Sequence, residues 1–201
     1  MLLLMLLAAS LVPAQRASMA CTNIASVETQ PLRGPAAGAA LKISSADDHS
    51  KNTHLCWADY DLLITRPGEN RPLKIRLLSS DGYWERRLTA QLDGFSQDGN
   101  RIVGVISESG KPQTQTLFEH NLANGKDLLL DLQKPIAHVV PKKCRATANV
   151  VGETATGALV VQLHSVDQCA PNTRWLVNSA NGLLQPLGKE SSVVSLYHDK
   201  L

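Results

Sequence analysis

The chain nearly repeats itself, and this internal repeat constrains its fold more than any other feature. Residues 118–125 read FEHNLANG and residues 175–182 read WLVNSANG, so that an aromatic residue, an Asn, an Ala and an Asn-Gly pair recur at an offset of 57. Upstream, residues 96–103 (SQDGNRIV) match residues 154–161 (TATGALVV) after a one-residue shift. A spaced match over about 35 residues indicates a structural unit that is used at least twice.

Short apolar runs alternate with turn residues from residue 57 onward. Asp-Gly and Asn-Gly pairs readily adopt positive φ and form tight hairpin turns, and the sequence places such pairs at Asp98-Gly99, Asn124-Gly125 and Asn181-Gly182. We predict further turns at 66–68, 80–82 and 156–157. The pattern predicts an all-β, antiparallel fold made of hairpins, without a substantial helix between residues 57 and 201. The predicted strands are Tyr60–Thr65, Leu73–Leu78, Tyr83–Leu92, Arg101–Ser107, Thr114–Asn121, Asp127–Leu132, Ala146–Val151, Ala158–His164, Thr173–Asn178, Leu183–Leu187 and Val193–Tyr197.

The central strand of each repeat is apolar on both of its faces. The first carries Ile102, Val103, Val105 and Ile106, and the second carries Leu159, Val160, Val161 and Leu163. Such strands have no water-facing side, as when sheets stack face to face.

The segment FSQDGNRIV at 95–103 resembles the FSPDGKRIV signature of TolB-like and WD40-type β-propeller repeats, with Gln97 where Pro is usual. In those repeats the Ser-x-Asp-Gly turn joins the first two strands of a blade. Residues 117–132 resemble the hairpin between the third and fourth strands of a blade, and a fainter earlier copy places residues 75–82 in the same position. The resemblance covers about residues 60–190, and the second copy keeps only Gly157 of the turn.

Three such units at most fit in this chain, whereas propellers typically close with four to eight blades. We therefore expect antiparallel hairpins forming two to three propeller-blade-like sheets, stacked or in an open array. Open ends of that kind predict self-association or a protein partner at Tyr60–Leu78 and Leu183–Tyr197. The formal net charge of +2 is spread along the chain and provides no field for nucleic acid or an anionic membrane.

The N-terminal run MLLLMLLAASLV at 1–12 is apolar throughout. It is shorter than the ~20 residues that a membrane-spanning helix needs, and it fits the apolar region of a secretory signal, although no Lys or Arg precedes it. Ser18 and Ala20 supply the small residues that a signal peptidase reads. We therefore predict a signal peptide at 1–20, an extended N-terminal segment at 21–56, a β repeat domain at 57–201, and a secreted or periplasmic location. The composition of residues 22–53 predicts that this segment buries little apolar surface.

Four cysteines form an even set, which in an exported chain indicates two disulfides. Proximity along the chain favours the pairs Cys21–Cys56 and Cys144–Cys169. The alternative is a surface lipoprotein anchored at Cys21, which would leave one of the other three cysteines unpaired.

The sequence assigns no catalytic, cofactor or metal site. One dense group of metal-ligand types (Asp47, Asp48, His49, His54 and Cys56) lies where a solvated polar loop is the favoured interpretation. Isolated histidines in or near strands are interpreted as structural, namely His120, His138, His164 and His198. The acidic residues that could supply a pair for glycoside chemistry are Asp59, Asp61, Glu69, Asp93 and Asp98, but their separation does not follow from sequence. The tryptophans, Trp57, Trp84 and Trp175, are predicted to be core anchors.

These observations predict a non-catalytic, extracytoplasmic binding or assembly module without a cofactor. That step rests on analogy with propeller relatives that present loops to partners. The alternative is a secreted hydrolase or accessory domain acting on polysaccharide or peptide.

Overall fold

A computed structural model describes residues 27–29, 38–47, 55–83, 87–109, 113–188 and 192–196. Within these ranges the chain forms antiparallel strands and one short helix, in agreement with the predicted all-β class. The elements are β1 (Val27–Glu28), β2 (Gly38–Asp47), β3 (Leu55–Thr65), β4 (Leu73–Tyr83), β5 (Arg87–Phe95), β6 (Arg101–Ser109), β7 (Thr114–Asn121), β8 (Asp127–Asp131), α1 (Gln133–Val139), β9 (Ala146–Thr154), β10 (Leu159–Ser165), β11 (Thr173–Val177), β12 (Leu184–Pro186) and β13 (Val193–Ser195). The helix α1 in these ranges is not long and apolar enough to cross a membrane.

The strands form three antiparallel sheets that follow one another along the chain. Sheet 1 has the order β1-β2-β3-β4, and sheet 2 has the order β5-β6-β7-β8. Sheet 3 has the order β12-β11-β10-β9-β13, so that β13 returns to pair with β9. Each of the first two sheets is built from neighbouring strands in sequence, which is the topology that short hairpin connections produce.

Sheet 2 is the middle layer, and both of its faces are buried. On one face Ile102, Ile106 and Phe118 pack with residues of sheet 1. On the other face Val103 and Val105 pack with residues of sheet 3. Successive side chains of a strand point to opposite faces, so the part of a strand that lies between two cores is apolar on both faces. The two-sided apolar pattern of β6 therefore has the predicted cause.

The repeated segments fold into equivalent turns. Gly125 N–H donates to the Asn121 carbonyl at 2.8 Å, and Gly182 N–H donates to the Asn178 carbonyl at 2.7 Å. The side-chain oxygens of the two asparagines also accept from backbone N–H groups two residues onward. Gly125 and Gly182 have φ values of 67° and 70°, a conformation that a residue with a side chain adopts at a cost.

The one-residue shift in the repeat also has a structural explanation. In sheet 2, Ser96 N–H donates to the Arg101 carbonyl, whereas in sheet 3, Thr154 N–H donates to the Ala158 carbonyl. The first turn is therefore one residue longer than the second. Each first strand also has a bulge, where Asp93 in β5 and Val151 in β9 are the residues skipped by the pairing. The two bulges are 58 residues apart, so the repeat extends to this irregularity.

Sheet 1 departs from the faint earlier copy of the repeat. The predicted turn at Ser80-Asp81-Gly82 is wrong, because all three residues lie within β4 and pair with β3. The predicted strand Tyr83–Leu92 is also divided, since β4 ends at Tyr83 and β5 begins at Arg87. Continuous pairing with the 11-residue β3 overrides the local turn preference of Asp-Gly.

The expectation that residues 22–53 bury little apolar surface is wrong for β2. Ala39, Leu41 and Ile43 are buried in the core between sheets 1 and 2, because they alternate along one face of the strand. Because the segment is rich in Pro, Gly and Ser, its overall composition does not reveal the short alternation of apolar residues at 39, 41 and 43. The predicted signal peptide, Cys21, Asp48, His49, His54, Trp84 and His198 lie outside the described residues.

Candidate binding cleft

A cleft of about 350 Å³ lies between sheets 2 and 3, at the lower end of the roughly 300–1,000 Å³ that small-molecule sites occupy. We call it the inter-sheet cleft. Its lining comes from β5, β6, β9 and β10, and consists of Thr89, Ala90, Gln91, Val105, Ser107, Thr147, Ala148, Asn149 and His164.

Strand alternation places the polar side chains of the cleft. Thr89 is directly opposite Ser107 in the pairing of β5 with β6. Thr147 is directly opposite His164 in the pairing of β9 with β10. Paired residues share a face of the sheet, so each wall presents polar groups from two strands. Because Thr147, Ala148 and Asn149 are consecutive and all line the cleft, β9 passes along the cleft by its edge.

Side chains from sheet 2 satisfy the backbone of this edge. The Gln115 amide donates from Nε2 to the Ala146 carbonyl at 2.6 Å, and its Oε1 accepts from Ala148 N–H at 2.9 Å. One carboxylate oxygen of Asp93 accepts from Val150 N–H at 2.8 Å. Because β13 pairs only with residues 152–154 of β9, these contacts replace the missing strand over the first half of β9. They also fix β9 relative to sheet 2.

Asp93 is the most perturbed acid in the described residues. It is 3% exposed, and burial raises its pKa to about 7, although hydrogen bonds from Val150 N–H and the Gln91 amide oppose that shift. The Gln91 Nε2 donates to Asp93 at 2.7 Å. Asp93 itself does not line the cleft. Gln91 lines the cleft and also donates a hydrogen bond to Asp93.

Asn149 carries a polar atom that the described residues leave unsatisfied. Its Oδ1 is buried and has no hydrogen-bond partner, while the residue lines the inter-sheet cleft. Buried polar groups are nearly always paired, so an unpaired one calls for an explanation such as a ligand or an ordered water. Asn149 therefore places an unsatisfied acceptor in the wall of the cleft.

A second cavity, of about 230 Å³, lies beside the Thr156-Gly157 turn and is lined in part by Arg101 and Glu119. The Arg101 guanidinium is paired with Glu153 and donates to the Gly157 carbonyl at 3.0 Å. Glu153 also accepts from Gln97 N–H at 2.8 Å. These groups satisfy one another and join sheet 2 to sheet 3.

The structure brings two of the predicted acids together, but both are neutralised. Arg76 lies 2.8 Å from Asp59 and also bonds Asp61, and Lys74 Nζ lies 2.9 Å from Asp61 Oδ2. Burial alone would raise the pKa of Asp61, but hydrogen bonds and charge from Arg76 and Lys74 outweigh it and lower that pKa. These residues form an ion-paired cluster on sheet 1, so they do not form a catalytic carboxylate pair.

The other predicted acids lie apart. Glu69 is exposed in the β3–β4 connection. Asp98 lies in the turn before β6, where the Ser96 hydroxyl and Asn100 N–H lower its pKa. Within the described ranges, no group of three or more His, Cys, Asp or Glu side chains could hold a metal ion. Of the predicted ligand group, only the backbones of Asp47 and Cys56 are described, opposite each other in β2 and β3.

The histidines and tryptophans occupy different environments. His164 lines the inter-sheet cleft, whereas His120 is buried with Nδ1 2.7 Å from Asp127 and His138 is exposed on α1. Trp175 packs against the core between sheets 2 and 3. The core prediction is wrong for Trp57, which is 42% exposed; it lies on the face of β3 that carries the charged Asp59 and Asp61.

Cys144 and Cys169 form a disulfide with a Cα–Cα distance of 5.8 Å. The bridge closes the open end of the β9–β10 hairpin. Comparison with protein-family models, curated proteins and solved structures finds no match for this chain. Its function is therefore argued from the site alone.

Proposed function

We propose that this protein is an exported, non-catalytic binding module whose ligand occupies the inter-sheet cleft. The observation that carries the proposal is a polar cleft that is lined by Asn149, whose buried Oδ1 is unsatisfied. Both walls are paired strands, and Gln115 and Asp93 tie the edge of one wall to the other sheet. A cleft fixed in this way requires little reorganisation on binding, which favours affinity.

Two features support export. Disulfides persist in oxidising compartments and are rare in the cytosol, and the chain contains the Cys144–Cys169 bridge. The apolar run at residues 1–12 fits a secretory signal. The three consecutive sheets also support a relationship to TolB-like or WD40-type blades, which we retain as part of the proposal.

Intact-mass measurement of the exported protein tests this part of the proposal. We expect loss of residues 1–20 and of four thiol hydrogens, with the pairs Cys21–Cys56 and Cys144–Cys169 found by peptide mapping. A lipid adduct on Cys21 would instead support the surface-lipoprotein alternative. Retention of residues 1–20 in protein recovered outside the cytoplasm would contradict the cleavage prediction.

A secreted hydrolase acting on polysaccharide or peptide is the second candidate. The observation that favours it is the raised pKa of Asp93, about 7, because general acids work best with a pKa near the working pH. Asp93 contacts the cleft only through Gln91, so it supports the hydrolase less directly than the cleft supports binding. Turnover that is lost in Asp93→Asn would favour the hydrolase.

A thermal-shift screen with a mixed panel of neutral, charged and apolar small molecules tests the binding site. We expect at least one compound to raise the Tm of the mature protein and to lose that effect in Asn149→Leu. Gln185→Leu is the matched control, because Gln185 is exposed on β12 and does not line the cleft. Equal shifts in both variants would place binding elsewhere, and no shift with any compound would count against the proposal.

A further inference from the structure

We propose that the inter-sheet cleft selects an uncharged, hydroxyl-rich ligand of about one or two sugar rings. This inference rests on the proposed binding function and names the chemistry of the ligand. Four properties of the cleft carry it, namely its charge, its hydrogen-bonding groups, its unsatisfied atom and its size.

The described part of the cleft lining has no formally charged residue. None of the nine residues that the structure describes there is Lys, Arg, Asp or Glu. A charged ligand would lose hydration on entering the cleft without gaining a partner of opposite charge, and the transfer of an unpaired charge is strongly unfavourable. Asp93 contacts the lining residue Gln91 but does not itself line the cleft, and its carboxyl oxygens accept hydrogen bonds from Gln91 Nε2 and Val150 N–H. The lining therefore discriminates against anions and cations of the same size.

The hydrogen-bonding groups of the lining match those of a polyol. Thr89, Ser107 and Thr147 supply hydroxyl groups, and Gln91 and Asn149 supply amides. A hydroxyl group both donates and accepts, and an amide offers one acceptor and two donors. Sugar hydroxyls have the same dual capacity, so each can pair with either kind of lining group. An apolar ligand would leave these groups desolvated and unpaired.

The unsatisfied Oδ1 of Asn149 specifies a donor on the ligand. This atom is buried and lacks a partner among the described residues. Because this atom has almost no accessible surface, a ligand hydroxyl or acetamido N–H would reach it only when the Asn149 side chain turns toward the cleft. The pairing would then be complete, and leaving such a group unpaired costs more than a typical hydrogen bond contributes. Exchange of the amide oxygen and nitrogen of Asn149 would reverse the roles, and a hydroxyl would still pair with it.

The size of the cleft fits a compact ring. The cavity of about 350 Å³ is near the minimum for small-molecule sites, at roughly 300 Å³. The other lining residues, Ala90, Val105 and Ala148, are apolar, but their side chains pack in the two cores. The described part of the lining contains no aromatic platform, so we expect weak affinity and selectivity based on hydrogen bonds.

An NMR titration of the ¹⁵N-labelled mature protein tests the inference with four probes that share one ring. The probes are glucose and N-acetylglucosamine, which are neutral, glucuronate, which is anionic, and glucosamine, which is cationic. We expect the neutral sugars to shift the side-chain amide of Asn149 and the backbone amides of Thr147 and His164. We expect the charged sugars to bind at least about tenfold more weakly, a difference of roughly 1.4 kcal/mol.

Two variants and a control complete the experiment. Asn149→Leu should abolish the shifts and Thr147→Val, which removes one hydroxyl with little change of shape, should weaken binding severalfold. Gln185→Leu should bind as the unaltered protein does. If Asn149→Leu fails to fold, the unaltered protein and Thr147→Val still decide the result.

Four outcomes would overturn the inference. If neither neutral sugar shifts the cleft residues, the ligand is not of this class. If glucuronate binds as tightly as glucose, the cleft accepts anions and His164 becomes the candidate counter-charge. If a charged or apolar compound from the thermal-shift panel binds in the cleft and the sugars do not, the ligand class is wrong while the binding function holds. Failure of every compound in the cleft would count against both.

Discussion

One position of the repeat carries an acidic residue, Asp93, in sheet 2 and an apolar residue, Val151, in sheet 3. Asp93 occupies the bulge of β5, and Val151 occupies the equivalent bulge of β9. A bulge re-aims a side chain and interrupts the regular pairing. In sheet 2 the re-aimed side chain is a carboxyl group that reaches Val150 N–H in sheet 3. The bulge thereby connects two sheets in addition to shaping one.

We predict that Asp93 makes stability decrease as the pH rises from about 4 to about 7. Its folded-state pKa of about 7 lies above the ordinary value of 3.8, so its contribution is complete below the ordinary pKa and is lost as the pH rises through the folded one. From about 1.4 kcal/mol per pKa unit, the rise from 3.8 to about 7 corresponds to a loss of roughly 4 kcal/mol. Asp93→Asn should lack this decrease, so its stability relative to the unaltered protein should rise with pH in urea titrations.

The variant Asp98→Asn is the control, because it shows how stability changes with pH when a different acid is removed. The pKa of Asp98 is lowered, so its contribution is present above the ordinary pKa of 3.8 and is lost as the pH falls through the folded value. The two variants should therefore show opposite pH trends. A stability difference between Asp93→Asn and the unaltered protein that is independent of pH would contradict the assigned role.

At the scale of elements, the repeat is preserved in turn geometry more than in sequence. The turns at 121–125 and 178–182 share their backbone bonds and their asparagine side-chain bonds, although their other residues differ. Gly182 is also buried against sheet 2, where an added Cβ would lie 3.3 Å from the Asp131 carbonyl oxygen. Gly125 has no atom within 4 Å of that position.

We predict that Gly125→Val and Gly182→Val both destabilise the protein, by roughly 1–3 kcal/mol from backbone strain alone. Gly182→Val should cost more, because its side chain also meets the Asp131 backbone. Chemical denaturation of both variants measures the difference. An unchanged Tm in both would show that the hairpin turns are wrongly assigned.

The Cys144–Cys169 disulfide gives a second prediction for an element. The bridge spans 25 residues, and a loop of that length corresponds to about 3 kcal/mol in the chain-entropy model. The double variant Cys144→Ser, Cys169→Ser should lose about this amount of unfolding free energy. Reducing agent should lower the Tm of the unaltered protein more than that of the double variant. An equal effect of reducing agent on both would contradict a stabilising role for this bridge.

Sequence predicted the strands far better than the cleft. Thr114–Asn121 was predicted and observed with the same bounds, because local alternation and flanking turns determine a hairpin strand. The turn at 80–82 failed because pairing with β3 is a non-local effect. The cleft depends on contacts such as Gln115 with Ala146, 31 residues apart, which no local pattern encodes. The one local trace of it is the polar alternation of Thr147 and Asn149 along β9.

At the scale of the whole molecule, sheet 2 supports both neighbours, and the outermost strands are the surfaces that a partner could use. In the described part of the chain, no strand pairs with the outer edge of β4. An unpaired edge is a template for strand addition, and Leu73 at its start is 43% exposed. The predicted association at Tyr60–Leu78 is therefore best placed at this edge, because the ion-paired cluster of Asp59, Asp61 and Arg76 would be costly to desolvate.

We predict concentration-dependent sedimentation at micromolar protein, and its loss in Leu73→Glu. Leu129→Glu is the matched control, since Leu129 is 39% exposed on β8, at the edge of sheet 2. A single monomeric species across the dilution series would show that the edge does not recruit a second copy. Equal loss in both variants would place the contact elsewhere.

The Gln115 amide forms hydrogen bonds with the backbone of β9 that a neighbouring strand would otherwise form. This affects how the molecule unfolds. In linear repeat proteins each unit contacts only its neighbours and can fray from one end. Here the amide hydrogens of Ala148 and Val150 are held by acceptors in the preceding sheet, so they are released only when sheets 2 and 3 separate. Their hydrogen-exchange rates should match each other and report that separation. Sheet 3 therefore cannot fray strand by strand from β9 without first parting from sheet 2.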